Sequence, residues 1–317
     1  MNQAITRTTI LPHEQPRRFL TDGGLETTLV FHEGLDLPCF AAFVLLRVEE
    51  GRARLRAYYE RYLELARQAG TGFVLEGPSW RANPDWAEKL GISRRELREL
   101  NAAGVELLRE LRAAHETADL PLVISGSVGP RGDGYVAGEL MTPEQAEGYH
   151  REQIEVLRDA GVDLVSAFTM TNVNEAVGFA RAASAAKVRH VVSFTLETDG
   201  TLPSGETLRG AMEAVDAATD ASVAYYMINC AHPTHFTHAL EGGAGWTARI
   251  QGIRANASTR SHEELDESPD LDAGDPGELG AEYEELVGML PQLRVLGGCC
   301  GTDDTHIREI AAACIGA

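Results

Sequence analysis

TPEQAEGYHREQIEVLRDAGVDLVSAFT, residues 142–169, reads as a helix delivered straight into a buried strand. Thr142, Pro143 and Glu144 supply an N-cap and a favourable first turn. VDLVSAFT (162–169) is apolar almost throughout, the pattern of a strand covered on both faces. The same alternation extends in both directions. Strand patterns lie at RFLTDG (18–23), GFVLEG (72–77), PLVISGSV (121–128), RHVVSFTL (189–196), AYYMINC (224–230), ARIQGIRAN (248–256) and LRVLGG (293–298). Between them run helical patterns such as EEGRARLRAYYERYLELARQAG (49–70) and SRRELRELNAAGVELLRELRAAHE (93–116). Eight such units are the number that closes a (β/α)8 TIM barrel, an α/β fold of one domain. An open doubly wound sheet is the runner-up, but no GxGxxG follows the first strand. The expected organisation is a flexible segment over 1–17 and a barrel over 18–317.

Composition narrows the partners. The chain has 317 residues, a net charge of −20 and 44% hydrophobic residues. That charge argues against nucleic acid and anionic membranes, which need a basic face. No run approaches a transmembrane length, and MNQAITRTTILPHEQPRR has no apolar signal core. Five cysteines in a long chain do not form a secreted disulfide framework, so a cytoplasmic, reducing setting with free thiols is expected. SHEELDESPDLDAGDPGELGAEYEE (261–285) reads as an acidic, solvated, mobile loop.

In a barrel, functional side chains gather where strands end at the C-terminal face. Asp22, Glu76, Cys230 and the pair Cys299 and Cys300 all stand at such ends. Neighbouring side chains on a regular strand point to opposite faces. Gly297, Gly298 and Gly301 let the backbone turn, so that both sulfurs of the pair face one point. With Cys230 they would give three thiolate ligands and leave a fourth tetrahedral position open, as catalytic zinc requires. Cys39 and Cys314 read as buried small hydrophobes. A vicinal disulfide is disfavoured by strain and by the reducing setting. His232, His235 and His238 read as one surface face of the helix after the sixth strand.

DGGLET (22–27), SVGP (127–130), INC (228–230) and GGCCGT (297–302), in that order, resemble the homocysteine S-methyltransferase family, which includes the betaine–homocysteine enzymes. The resemblance spans nearly the whole chain. It implies a (β/α)8 barrel, Zn2+ on Cys230, Cys299 and Cys300, and a substrate thiol at the fourth position. It also implies that Asp22 binds the acceptor's amino group. Gly23 and Gly24 would allow close backbone approach, and Asn229 would orient the neighbouring ligand. Coordination would deprotonate a thiol whose ordinary pKa is about 8.5. The thiolate would then attack a methyl group on a small sulfonium or ammonium donor, giving methionine from homocysteine.

Two departures bear on the acceptor. Where the family carries a glutamate before a threonine on the fourth strand, this chain has Phe168 before Thr169. Glu26 and Glu76 appear where the family has uncharged residues. Either Glu26 or Glu76 replaces the missing carboxylate, or the acceptor is another thiol or selenol. Trp80, Trp86 and Tyr135 are candidates for contact with a cationic donor. Two further rivals are a non-catalytic zinc- or thiol-binding homologue and a hydrolase using Cys230. The expected partners are a small thiol acceptor and a methyl donor, with homo-oligomers left open.

Overall fold

A computed structural model describes residues 10–315 apart from 243–244, 267 and 269. Eight parallel strands close a barrel in sequence order. They are β1 (Phe19–Leu20), β2 (Gly72–Glu76), β3 (Leu122–Val128), β4 (Leu164–Met170), β5 (Arg189–Phe194), β6 (Tyr226–Asn229), β7 (Ile250–Ala255) and β8 (Val295–Gly298). Closure comes from β1 against β8, with Phe19 opposite Val295 and Leu20 opposite Leu296. The runner-up open sheet is thereby excluded.

One long helix follows each strand: α1 (Glu49–Gln68), α2 (Arg94–His115), α3 (Pro143–Ala160), α4 (Val173–Ala185), α5 (Leu208–Ala218), α6 (Pro233–Leu240), α7 (Pro276–Met289) and α8 (Asp304–Cys314). Local chemistry sets their starts. Thr142 and Gln145 form a reciprocal capping box ahead of α3, and Ser93 caps α2. The outward strand residues, such as Leu75, Ile124, Val165 and Val192, join the helices in one buried cluster.

Inside the barrel the side chains change character along the strands. Near the N-terminal ends, Phe19, Val74, Val123, Leu164, Val191 and Val295 form an apolar plug. One step up, Ser125 and Ser166 hydrogen-bond at 2.8 Å. At the C-terminal ends the inward residues are Glu76, Asn229 and Arg254, with Asp22 just past β1. A polar ligand therefore finds partners at the C-terminal mouth and none at the base.

Residues 1–9 of the expected flexible segment lie outside the described residues. Of its remainder, Leu11 is fully buried in the apolar plug, and Glu14 pairs with Arg189 at the start of β5. The acidic stretch 261–285 departs from the expected mobile loop. Its second part is α7, and Leu265, Ser268, Asp270, Leu271 and Asp272 line the cavity at the mouth. Asp272 accepts a hydrogen bond from Ser258 and pairs with Arg260.

Candidate metal centre and its cavity

Cys230 follows the last residue of β6 and takes a left-handed backbone conformation, φ 56°. A non-glycine residue there costs roughly 1–2 kcal/mol. The turn breaks the strand alternation, so Asn229 points into the barrel while the adjacent Cys230 sulfur also faces the mouth. At β8, Gly301 has φ 79°, and the Cys299 and Cys300 backbones are tied to β7 and its loop. Cys299 N donates to Ala255 O at 2.8 Å, and Ala257 N donates to Cys300 O at 3.1 Å. Gly298 is a close-approach position, since a Cβ there would overlap Thr302 Oγ1.

The three sulfurs lie within 4.8 Å of one another. Cys230 and Cys299 are joined as a disulfide, and Cys300 Sγ stands 3.6 Å from Cys230 Sγ. The expectation that all five thiols stay free is corrected at this pair. The bridged partners are also not the adjacent cysteines, which turn their sulfurs toward Cys230. A tetrahedral ion with bonds of about 2.3 Å sets its sulfurs about 3.8 Å apart. The grouping fits such an ion once the pair is reduced. Burial pushes the Cys300 thiol up, so holding it as a thiolate needs a nearby cation. Among the described residues this is the only cysteine, histidine and carboxylate group with ligand spacing.

Around the sulfurs, Asn229 acts as a tie. Its Oδ1 accepts from Thr169 N at 2.9 Å and Ser193 Oγ at 2.6 Å. Its Nδ2 donates to Thr169 Oγ1 at 3.2 Å and reaches Cys299 Sγ at 3.8 Å. Thr169 is left-handed too, φ 60°, at a register shift between β4 and β5. Such bulges re-aim side chains at sites. Tyr135, on the loop after β3, places its hydroxyl 3.1 Å from Cys300 Sγ and 3.4 Å from Cys230 Sγ. Its ring stacks on His262, centroids 4.2 Å apart, and His262 Nε2 lies 2.8 Å from Cys230 O.

Beside the sulfurs opens a cavity of about 470 Å3. Asp22, Gly23, Gly24, Glu26, Glu76, Phe168 and Thr169 all border it, as do Trp80, Arg81 and Tyr135. Burial pushes the Glu26 and Glu76 carboxyls each up to about 7, and burial also raises Asp22. Asp22 is paired with Arg254 Nη2 at 2.9 Å and accepts from the Tyr58 hydroxyl at 3.0 Å. The Arg254 guanidinium lies 5.1 Å from the Phe168 ring centroid.

Three other candidates fall elsewhere. Trp86 is outside the cavity and stacks against Arg81 and Lys89. His232 and His235 are buried rather than on a surface face. His232 caps the start of α6, and His235 bonds Thr259 O. Cys314 is buried as expected, whereas Cys39 is only half-buried. Arg254 was the residue missed. A charge on a strand covered on both faces is the signal that singled out Glu76, and ARIQGIRAN carries the same signal.

The description of the matching family is homocysteine S-methyltransferase, and it covers residues 19–314. The chain is 29% identical over 250 residues to the homocysteine S-methyltransferase of Escherichia coli, covering 74% of this chain and 77% of that protein. It is 27% identical over 319 residues to the selenocysteine Se-methyltransferase of Brassica oleracea, covering 92% and 87%. Its structure is similar to that of the homocysteine methyltransferase MmuM from Escherichia coli in the metallated form. There the TM-score is 0.74 at 26% identity over 94% of this chain and 96% of that one. An oxidised form of MmuM gives the same TM-score, covering 95% and 97%.

Proposed function

The chain belongs to the homocysteine S-methyltransferase family and is a methyltransferase, and from that premise we propose a zinc-dependent transfer of methyl from a small sulfonium or ammonium donor to a thiolate. Homocysteine is the default acceptor and methionine the product. The observation that carries this reading is the convergence of Cys230, Cys299 and Cys300 at the edge of the cavity. These three would hold the zinc as thiolates, which fits a reducing, cytoplasmic setting. A bound zinc ion would supply the positive charge that keeps an acceptor sulfur deprotonated at neutral pH.

The chain's own residues do the remaining work. Asn229 holds the end of β4 against Cys299 and so fixes one wall of the cavity. Glu26 and Glu76, whose own carboxyls burial raises, border the cavity and suit a cationic donor in charge. Trp80 adds an aromatic wall for the same cation. Leu271 and Asp272, on the loop after β7, border the cavity, where they would help to limit water around the thiolate.

A second reading keeps this chemistry with another thiol or selenol acceptor. Phe168 favours it, because a phenyl ring offers an ammonium no charge.

The test is protein purified under reductant, with zinc measured per chain and homocysteine offered with S-methylmethionine, S-adenosylmethionine or a betaine. One zinc per chain and a methylated thiol are expected, with both lost in Cys300→Ser. Zinc present but no thiol methylated by any donor would reject the reaction. Methyl transfer surviving in zinc-free Cys300→Ser would reject the metal.

A further inference from the structure

Asp22 does not wait for an ammonium, because a resident cation already holds it. Arg254 Nη2 stands 2.9 Å from Oδ1 as an ion pair, with no hydrogen bond reaching that oxygen, and the Tyr58 hydroxyl donates to Oδ2. The guanidinium is fixed by three hydrogen bonds to backbone carbonyls, Nε to Gly298 O at 2.9 Å and Nη2 to Gly23 O at 3.2 Å and to Asp22 O at 3.5 Å. Its remaining nitrogen, Nη1, has no acceptor among the described residues, and Arg254 borders the cavity. On its other side stands the Phe168 ring, which offers no charge. An ammonium brought to this corner would meet a guanidinium, and like charges repel strongly where water is scarce. A carboxylate would meet open N–H donors.

We propose that Arg254 selects the acceptor by its carboxylate, so that the acceptor class is a thiol or selenol with an anionic tail and no required α-amino group. The proposal rests on the methyl-transfer reading of the same site, and names which acceptors that site takes. Arg254 is placed here as a specificity-determining residue with no part in the bond-making step.

The panel that tests it keeps the thiol chain of homocysteine and removes one end at a time. γ-Mercaptobutyrate lacks the amino group, and γ-mercaptopropylamine lacks the carboxylate. Calorimetry on the zinc-loaded protein is expected to find γ-mercaptobutyrate within about threefold of homocysteine. γ-Mercaptopropylamine should bind more weakly by about tenfold or more, the loss of one charge-assisted pair. Arg254→Lys keeps the charge beside Asp22 but loses the planar fork. It should weaken both carboxylate thiols and leave the amine unchanged. Phe168→Glu, which leaves Arg254 in place, should shift preference toward the amine.

If γ-mercaptopropylamine binds as tightly as homocysteine while γ-mercaptobutyrate falls off, Glu26 or Glu76 reads the ammonium and the proposal is overturned. Equal binding of all three also overturns it. Product analysis by mass spectrometry separates the two readings. The predicted binding order without any S-methylated product would reject methyl transfer and leave the role of Arg254 standing.

Discussion

Glu76 carries a cost that the barrel alone does not relieve. It points inward at the end of β2, is 5% exposed, and has Ser127 Oγ 3.3 Å from its Oε2. Burial is the main cause of its raised pKa, with Arg254 opposing from across the floor. In the unfolded chain the carboxyl loses its proton near 4.5, whereas folded it keeps it to about 7. The folded state thus binds more protons between these values, and its stability falls as pH rises from 4.5 through 7. The full penalty above pH 7 is roughly 3 kcal/mol. Glu76→Gln removes that penalty while keeping a partner for Ser127. In substrate-free protein it should raise the melting temperature at pH 8, with a gain that vanishes near pH 4.5. A pH-independent difference between the two proteins would show that ionisation is not the cause. The burial of Glu76 was legible from an acid on a strand with two covered faces. Its partnership with Arg254, and the pairing of Arg254 with Asp22, were not. Those residues are 178 and 232 positions apart, and only the closed barrel brings their side chains together.

At the scale of elements, the turn after β8 shows how little slack the cysteine site has. Thr302 N and Oγ1 both bond Cys299 O, at 3.2 and 2.7 Å, folding the chain back over Gly298. A methyl group at position 298 has to displace Thr302, and overpacking of this kind costs about 1–3 kcal/mol. Gly298→Ala should lower the melting temperature and speed zinc loss to a chelator, because the displaced turn carries two of the three sulfurs. Wild-type zinc retention in that variant would show that the turn can yield without moving them. The glycines were legible as devices for turning the pair toward one point. The left-handed backbone of Cys230 and Thr169 was not, since neither residue type announces it. Helix caps were legible where the residue is a good one, as at Thr142. At α6 the cap is His232, and a histidine three residues before another reads more naturally as a helix face. The acidic stretch misled for a related reason. Charge predicts solvation, yet Asp272 is held by Ser258 and Arg260, contacts that composition does not encode.

The molecule as a whole separates stability from chemistry along the barrel axis. The strand order and the eight-unit count were readable because periodicity is local and repeats eight times. What closes the base was not, because the segment ahead of β1 carries no strand or helix pattern. Leu11 fills that base. It is fully buried with Phe19, Val74 and Tyr225, while His13 packs on Tyr225 with centroids 5.2 Å apart. Removing its side chain beyond Cβ leaves a void under an otherwise filled interior, a change that costs about 2–5 kcal/mol for leucine to alanine. The intervening layers of valine and serine keep this void away from Asp22, Arg254 and the sulfurs. Leu11→Ala should therefore lower the denaturant midpoint clearly while leaving zinc per chain and methyl-transfer kcat/KM unchanged at temperatures where the variant stays folded. A variant with normal stability would show that the segment merely rests on the barrel. One that stays folded but loses zinc would show that the base and the mouth are mechanically coupled, against the axial separation that the packing describes.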